Sequence, residues 1–319
     1  MFKSTPMSSI QLPHGMTTDQ FLAEYWQKKP LLIPAAIPNF KPPIDGNELA
    51  GMSLEQEVES RLVIGPDWSV EHGPFDVDRF KLLPESDWTL LIQAVDLWVP
   101  EVAELLNYFD FLPSWRVDDI MVSYAEDGGN VGPHFDHYDV FLLQGEGKRR
   151  WQIGGECNED DLAESTDRLK LLSKFTVFDE WVLNPGDILY LPPKIAHHGI
   201  AQGACTTFSV GFRAPAVTEM LDDLATELLS RDIKATHLTD PPLTSNRANQ
   251  PISSDYIEKI RSLLLEILDD DQLLGEWFAQ FMSQPKYPAL VPITGEMRTA
   301  TLSLNDDDHT TFINGHVKE

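Results

Sequence analysis

Short apolar runs separated by Gly, Pro, Asn and Asp fill the chain between residues 118 and 215, and they constrain the fold more than any other feature. The runs read DIMVSYA, DVFLLQ, RRWQIG, WVLNPGDILYLP and TTFSVGFRAP. Closely spaced short strands of this kind predict an antiparallel β-sandwich or barrel. In the fourth run, the residues from Asn184 to Asp187 predict the turn of a β-hairpin.

Helical patterns lie on both sides of the predicted barrel. Before it, the sequence predicts a capped amphipathic helix that starts at about Thr18 and ends before Pro30, and further helices at about 53–62 and 87–106. After it, three amphipathic helices are predicted in VTEMLDDLATELLSRDI, SSDYIEKIRSLLLEILDD and DQLLGEWFAQFMS. The final stretch, TATLSLNDDDHTTFINGH, predicts a β-hairpin.

These patterns divide the chain of 319 residues into three parts. Residues 1–215 would hold the barrel, with a core at about 115–215, together with the N-terminal helices. Residues 216–285 would form a helical region. Residues 286–319 are too few for a domain and would be part of a further module. We therefore expect a mixed α+β protein.

The chain is strongly acidic, with 51 acidic against 24 basic residues and a formal net charge of −27. Such a surface disfavours direct binding to nucleic acid and would instead attract basic partners. It equally fits a soluble protein that its charge keeps apart from its neighbours. We find no secretory signal and no run of membrane-spanning length, so we expect a cytoplasmic protein without membrane partners. Cys157 and Cys205 are expected to be reduced thiols.

Histidines and carboxylates cluster in GPHFDHYDVFLLQGEGKRRW. His134 and Asp136 share one face of an extended strand, whereas His137 and Asp139 share the opposite face. Only one of these pairs can face a barrel interior.

A third candidate ligand follows the prolines of LPPKIAHHG, where His197 and His198 come after a predicted strand. Two histidines and one carboxylate form the facial triad of non-haem iron sites, which leaves the other metal positions open for cosubstrate and oxygen. A single loop histidine is more often solvated or bonded to the backbone. Two such clusters beside strands of one barrel favour a metal site.

Alternation along the strand KRRWQI assigns Arg149, Trp151 and Ile153 to one face, which is the apolar one. Arg149 would thus point inward, and a buried guanidinium needs an anion. That anion is either a protein carboxylate or the far carboxylate of a dicarboxylic cosubstrate, which the guanidinium would hold with two parallel hydrogen bonds.

Three stretches, GPHFDHYDVFLLQGEGKRRWQIG, PGDILYLPPKIAHHG and FSVGFRAP, together closely resemble the JmjC-type ribosomal oxygenases of bacteria, and FLAEYWQKKPLLI resembles the N-terminal segment of that family. The resemblance covers about residues 17–285. It implies a double-stranded β-helix of the cupin type, Fe(II) as the metal, and 2-oxoglutarate and O2 as cosubstrates. It also implies that the helices after residue 215 form the dimerisation region of a homodimer, the alternative being one more layer on the same chain. A winged-helix module follows in the family, and residues 286–319 would be a truncated part of it.

The resemblance assigns His134, Asp136 and His197 as the iron ligands and catalytic centre. It places Arg149 at the distal carboxylate of 2-oxoglutarate, the role that strand alternation also suggests. The remaining residues of the two clusters would lie beside the metal rather than on it, namely His137, Asp139 and His198.

Two serines are further candidates for contacts with the cosubstrate. Ser123, in MVSYAEDGG, matches a family position near the cosubstrate, with an ordinary strand serine as the alternative. Ser209 and Gly211 alternate with bulky residues, so they either face the cosubstrate or taper a crowded barrel.

By the same resemblance, the protein hydroxylates the β-carbon of an arginine in a large-subunit (50S) ribosomal protein. A cationic substrate side chain needs acidic neighbours, and Asp127 is the first candidate to bind it, with Glu146 in the GEGK turn as the second. Solvated turn carboxylates are the alternative for both. Two other functions stay open: the same chemistry on a histidine of another ribosomal protein, and a non-catalytic metal-binding cupin that serves as a scaffold in ribosome assembly.

Overall fold

The structure is a computed structural model that describes residues 9–163, 169–231, 236–242, 252–290, 292–295, 297–305 and 308–318. The chain forms two compact units, of which the first is Met1–Ala214 with Ala289–Glu296 and the second is Pro215–Pro288 with Met297–Glu319. None of the helices within the described residues combines the length and the apolar character that crossing a membrane requires.

The first unit contains short helices and the strands of the predicted barrel. Its α-helices are α1 (Thr18–Glu24), α2 (Gly46–Met52), α3 (Val77–Phe80) and α4 (Pro100–Ala103), and 3-10 turns lie at Pro13–Gly15, Val95–Leu97, Glu104–Phe109, Ser114–Arg116 and Glu159–Asp161. Its strands are β1 (Leu31–Ile33), β2 (Ser60–Ile64), β3 (Ser69–His72), β4 (Trp88–Ile92), β5 (Val117–Ala125), β6 (Val140–Gln144), β7 (Lys148–Glu156), β8 (Asp179–Leu183), β9 (Ile188–Leu191), β10 (Ile195–Gln202) and β11 (Cys205–Phe212).

Two antiparallel sheets form the barrel. The larger sheet has the strand order β1-β9-β6-β11-β5-β4-β2-β3, and the smaller one has the order β10-β7-β8. Apolar side chains of β6 and β9 pack with those of β7 and β8 in one interior cluster, made of Val140, Leu142, Trp151, Ile153, Leu183, Leu189 and Leu191. The two sheets therefore face each other, which confirms the predicted double-stranded β-helix.

The other face of the larger sheet packs against the N-terminal helices. Phe208 and Val210 of β11 are fully buried there, in the same cluster as Phe21 of α1. Because side chains alternate along a strand, Thr207 and Ser209 face the barrel interior instead.

The second unit contains α5 (Val217–Ser230), α6 (Ser254–Leu268) and α7 (Asp271–Met282), and a sheet of β12 (Thr299–Asn305), β13 (Asp308–Ile313) and β14 (His316–Val317). The three predicted helices are confirmed, as is the C-terminal hairpin, which β12 and β13 form. Trp277 Nε1 donates to Asp223 Oδ1 at 2.7 Å and joins α7 to α5. The predicted loop between α5 and α6 falls largely outside the described residues.

Two of the predicted N-terminal helices are wrong. No helix forms at 53–62. The helix in this region is α2, which ends at Met52, and its start is capped by the Asp45 carboxylate, which accepts hydrogen bonds from the backbone N–H of Asn47 and Glu48 at 2.8 and 2.9 Å. The run SRLVI that follows is strand β2, paired with β4. The region 87–106 holds β4 and short turns, since Ala94 adopts a left-handed φ of 51° and Pro100 starts a new short helix.

Helix α1 ends at Glu24, before Pro30 as predicted, and Gln27 beyond it has a left-handed φ of 58°. Two further features differ from the sequence prediction. The turn from Asn184 to Asp187 forms, but it does not join a hairpin: β8 pairs with β7, and β9 pairs with β6. The chain crosses there from the smaller sheet to the larger one, where β9 buries both of its faces. The LPPKIAHHG histidines lie within strand β10 rather than in a loop.

Candidate active site

His134, Asp136 and His197 come together in the first unit, and their ligand atoms all lie within 4.8 Å of one another. Backbone bonds hold the two segments side by side: His134 N–H donates to His197 O at 3.0 Å, and His197 N–H donates to His134 O at 2.8 Å. Lys194 N–H adds a bond to Asp136 O at 2.6 Å. His197 is in register with Ile153 of the interior cluster, so its side chain faces the barrel interior.

Each of the two imidazoles is oriented by a backbone carbonyl. His134 Nδ1 lies 2.9 Å from Gly132 O, and His197 Nδ1 lies 2.9 Å from Ile195 O. A carbonyl only accepts hydrogen bonds, so Nδ1 is the donor in both rings, and Nε2 is the ring atom left to bind a metal. Burial, and after it the neighbouring His134, lowers the pKa of His197 to about 4. His197 is therefore neutral at pH 7, which is the form that binds a metal.

The donor set fits an iron site of the facial-triad type. The His134 and His197 ring centroids are 4.3 Å apart, and His197 Nε2 lies 3.7 Å from Asp136 Oδ2. Two imidazoles, each oriented by a backbone carbonyl, and one carboxylate are the ligands that non-haem Fe(II) enzymes use.

The other histidines of the two clusters do not join these three ligands. His137 is exposed and its Nε2 lies 2.9 Å from Glu159 Oε1. His198 Nε2 lies 3.0 Å from Asn130 Oδ1. Burial, followed by the charges of His134 and Arg150, lowers the pKa of His198 to about 4.

Asp139 is fully buried and belongs to a separate network. Its carboxylate accepts hydrogen bonds from Tyr190 Oη at 2.7 Å and Gln27 Nε2 at 3.0 Å, and Arg116 Nη2 lies 3.5 Å away. Burial raises the pKa of Asp139, and these three neighbours oppose the rise. This network connects the segment after the metal ligands to the N-terminal part of the chain.

Arg149 points into the barrel, as strand alternation predicts, and only 4% of its surface is exposed. Its Nε is buried without a hydrogen-bond partner, and its Nη2 lies 3.7 Å from Cys205 Sγ. No carboxylate among the described residues forms an ion pair with it. A buried cation needs an anion, and a dicarboxylate that spans from Arg149 toward the metal ligands satisfies that need.

Both predicted serines have side chains on the inner faces of their strands. Ser123 of β5 is 3% exposed and lies opposite Thr207 of β11. Ser209 is half-buried and lies between Met121 and Leu142 in register. Their hydroxyls thus line the same interior as Arg149.

Asp127 and Glu146 are both exposed, and neither makes a contact with the three metal ligands among the described residues. Asp127 Oδ1 accepts a hydrogen bond from Gly203 N at 2.7 Å, which closes the turn after β10. Glu146 lies in a turn whose backbone N–H donates to Thr206 Oγ1 at 2.7 Å.

Sequence reasoning missed Tyr138, which hydrogen-bonds to the ligand Asp136, and two carboxylates that act on Tyr138. Burial raises the pKa of Tyr138, with further contributions from the charges of Asp136, Asp119 and Asp118 and from a hydrogen bond to Asp136. A Cβ placed on Gly211 would lie 3.9 Å from the Tyr138 ring and 3.8 Å from Asp119 Oδ1. The paired aspartates at the start of β5 were the available signal, but their distance from HFDHYD in sequence concealed it.

Comparison with known families and sequences gives consistent matches. A family model described as the JmjC domain matches residues 104–220. The ribosomal protein uL16 3-hydroxylase of Escherichia coli (strain K12) is 39% identical over 269 residues, which are 84% of this chain and 71% of the relative. A probable ribosomal oxygenase of Haemophilus influenzae is 36% identical over 303 residues, covering 90% of this chain and 74% of the relative.

Solved structures match over nearly the whole chain. The X-ray structure of E. coli YcfD aligns with a TM-score of 0.83 and 33% identity, covering 98% of this chain and 88% of that one. A structure of YcfD, a ribosomal oxygenase, in complex with cobalt and 2-oxoglutarate aligns with a TM-score of 0.81 at 33% identity, covering 98% of this chain and 87% of that one.

Proposed function

This chain belongs to the JmjC-domain ribosomal oxygenases, and from that premise we propose that it is an Fe(II)- and 2-oxoglutarate-dependent hydroxylase of an arginine β-carbon in a large-subunit ribosomal protein. One observation carries the proposal more than any other. A buried Arg149 without a carboxylate partner among the described residues faces the same interior as a facial set of two histidines and one carboxylate.

His134, Asp136 and His197 would hold Fe(II) through Nε2, a carboxylate oxygen and Nε2. When bound, Fe(II) with 2-oxoglutarate and O2 supplies the oxidising power: one oxygen atom enters a substrate C–H bond, and 2-oxoglutarate becomes succinate and carbon dioxide. The protein itself orients the ligands, through the carbonyls of Gly132 and Ile195 that fix both imidazoles.

Arg149 would bind the distal carboxylate of 2-oxoglutarate with its guanidinium fork, and Ser123 and Ser209 would line the space beside it. The apolar cluster of the interior excludes water from this end of the cosubstrate. A dry surrounding strengthens the attraction between the guanidinium and the carboxylate.

The substrate side chain needs acidic and flat apolar neighbours. We infer that Tyr138 with Asp118 and Asp119, close to the ligand Asp136, receives the cationic side chain nearest the metal. Asp127 and Glu146 would then act farther out, on the surface of the substrate protein. The net charge of −27 would attract a basic ribosomal protein and speed its association.

We further propose that residues 216–285 mediate a homodimer and that residues 1–215 form the catalytic domain. The expected separate module of residues 286–319 is not a unit of its own, since Met297–Glu319 belongs to the same compact unit as Pro215–Pro288. Helix α6 supports the dimer, since several apolar side chains along one of its faces are exposed, namely Ile257, Ile260, Leu264 and Leu268. We place the reaction in the cytoplasm, where ribosomal proteins are made, and expect no direct contact with nucleic acid.

Intact-mass spectrometry of large-subunit ribosomal proteins tests the function directly. After incubation with the enzyme, Fe(II), 2-oxoglutarate and O2, one protein should gain a single oxygen atom, and fragmentation should place it on an arginine β-carbon. An added oxygen on a histidine would support the alternative substrate. If no ribosomal protein gains mass while the chain still binds Fe(II), the proposed enzyme activity is wrong. The result would then favour the alternative function, a non-catalytic metal-binding scaffold in ribosome assembly.

A further inference from the structure

Two buried donors on the inner face of β7 have no acceptor among the described residues: Arg149 Nε and Trp151 Nε1. Their residues are 4% and 5% exposed. They are two positions apart in one strand, so their side chains leave the same face of the sheet. A buried N–H without an acceptor is costly, and two of them together indicate an absent acceptor rather than a packing accident.

The Trp151 indole lies near both the buried guanidinium and the metal ligand His197. Its ring centroid is 5.9 Å from Arg149 Cζ, and it is also 5.9 Å from the His197 ring centroid. Its six-membered ring is held against Gly199, because a Cβ there would lie 2.6 Å from both Cη2 and Cζ3. The N–H is on the other half of the indole. The other buried side chains of the interior cluster are aliphatic, and Trp181 of β8 lies opposite Trp151 in register.

We propose that the indole N–H of Trp151 is a second donor to the cosubstrate carboxylate that Arg149 binds, an inference that rests on the proposed use of 2-oxoglutarate. A carboxylate offers about four acceptor sites, and a guanidinium fork fills two of them. The indole is a neutral donor without acceptor capacity, so it adds a hydrogen bond without repelling Arg149. Trp151 is then a positioning residue of the cosubstrate site, with Gly199 as the backbone position that its ring requires.

The indole N–H resonance of Trp151 tests this assignment in the unaltered protein. The chain has eight tryptophans, so the indole region of a ¹⁵N–¹H spectrum is simple. In protein loaded with Zn(II), which does not support turnover, saturating 2-oxoglutarate should move the Trp151 proton to higher frequency, and so should saturating succinate. Trp88 is the internal control, since its buried Nε1 already donates to Pro84 O at 3.0 Å and its signal should stay in place.

The variant W151F tests the same bond through affinity, measured by calorimetry. We expect about tenfold weaker binding of 2-oxoglutarate, the loss of one hydrogen bond to a charged group, with the affinity for Zn(II) unchanged. W88F should bind 2-oxoglutarate like the wild type. Through-bond assignment of the wild-type spectrum makes the first test independent of how well W151F folds.

Four results would overturn the inference. A stationary Trp151 signal in protein that binds 2-oxoglutarate, or wild-type affinity in W151F, removes the hydrogen bond and leaves the proposed function intact. If the Trp151 signal shifts with 2-oxoglutarate but not with saturating succinate, the indole N–H bonds to the end of 2-oxoglutarate that chelates the metal and not to the distal carboxylate. Failure of the wild-type Zn(II) protein to bind 2-oxoglutarate at all contradicts the proposed function itself.

Discussion

Arg149 and Arg150 are neighbours in the chain with opposite surroundings. Arg149 is buried with an unpartnered Nε, whereas Arg150 is half-exposed and its Nη1 lies 3.4 Å from Glu180 Oε2. Strand alternation predicted this difference from the sequence alone. Alternation could not identify Trp151 as a candidate ligand group, because an inward indole in a strand is ordinary core until its N–H proves to have no acceptor.

The two arginines give a matched pair of variants. R149M should weaken binding of 2-oxoglutarate by at least about 100-fold, since hydrogen bonds between charged groups contribute about 1.5–3 kcal/mol each. The metal-free R149M protein should also unfold at a higher temperature than the wild type, because a buried unpaired charge is removed. R150M should bind 2-oxoglutarate normally. Calorimetry and thermal denaturation measure both effects, and normal binding by R149M would rule out its role as the carboxylate anchor.

Strand β10 shows how one element serves the site with both of its faces. His197 faces the barrel interior and the metal ligands, while the adjacent His198 lies on the other face, 3.0 Å from Asn130 Oδ1. The same Asn130 oxygen accepts from Gly132 N at 3.0 Å, in the segment that leads to His134. Sequence analysis placed these histidines in a loop, because the two prolines before them obscured the start of the strand.

His198 makes the free energy of unfolding depend on pH. Its pKa is about 4 in the folded protein and about 6.5 in the unfolded chain, so as the pH falls it takes up a proton in the unfolded chain before it does so in the folded protein. Its contribution to the free energy of unfolding is fully present above pH 6.5 and is lost as the pH falls toward 4. In H198Q this loss is absent, so the decline in stability from pH 6.5 to 4 should be smaller by about 2 kcal/mol. Urea denaturation across that range measures it, and identical slopes in both proteins would contradict the assignment.

The elements that were predicted wrongly from the sequence are those whose structure depends on pairing between distant strands. Ser60 to Leu62 fall at the end of the helix predicted at about 53–62, but Ser60–Ile64 forms β2 and pairs with β4. Likewise β8 and β9 are close in sequence, yet each finds its partner in a different sheet. Such long-range hydrogen bonds cannot be seen in a local window of sequence. Strand β7, which carries Arg149 and Trp151, alternates between buried and more exposed residues from Lys148 to Ile153 and was predicted correctly.

Over the whole chain, acidic charge and exposed apolar surface are two separate properties that bear on the proposed partners. The acidic excess is a property of the whole sequence, and the exposed apolar side chains lie on one face of α6, where we propose that a second copy binds. Composition predicted the first of these properties. Only the structure reveals the second, because the helical pattern of α6 does not say whether its apolar face is covered.

The proposed dimer can be tested on α6 with a control elsewhere. Leu264 is 57% exposed on α6, and Leu82 is 76% exposed in the first unit. L264D places a charge in the proposed interface, so the protein should sediment as a monomer at concentrations where the wild type is a dimer. L82D should remain a dimer. Sedimentation velocity distinguishes the species, and a dimeric L264D protein would place the interface elsewhere.

The most direct test of the account is an anaerobic titration of Fe(II) and 2-oxoglutarate, followed by the visible charge-transfer absorption that appears when the keto acid chelates the metal. With His134, Asp136 and His197 as the ligands, we expect a band that saturates at one Fe(II) per chain in the wild type. The same band is expected in H137A, because His137 is exposed and its Nε2 lies beside Glu159. H134A and H197A should give no band. If both of these variants develop the wild-type band at the same stoichiometry, His134 and His197 do not bind the metal, and the proposed iron site is wrong.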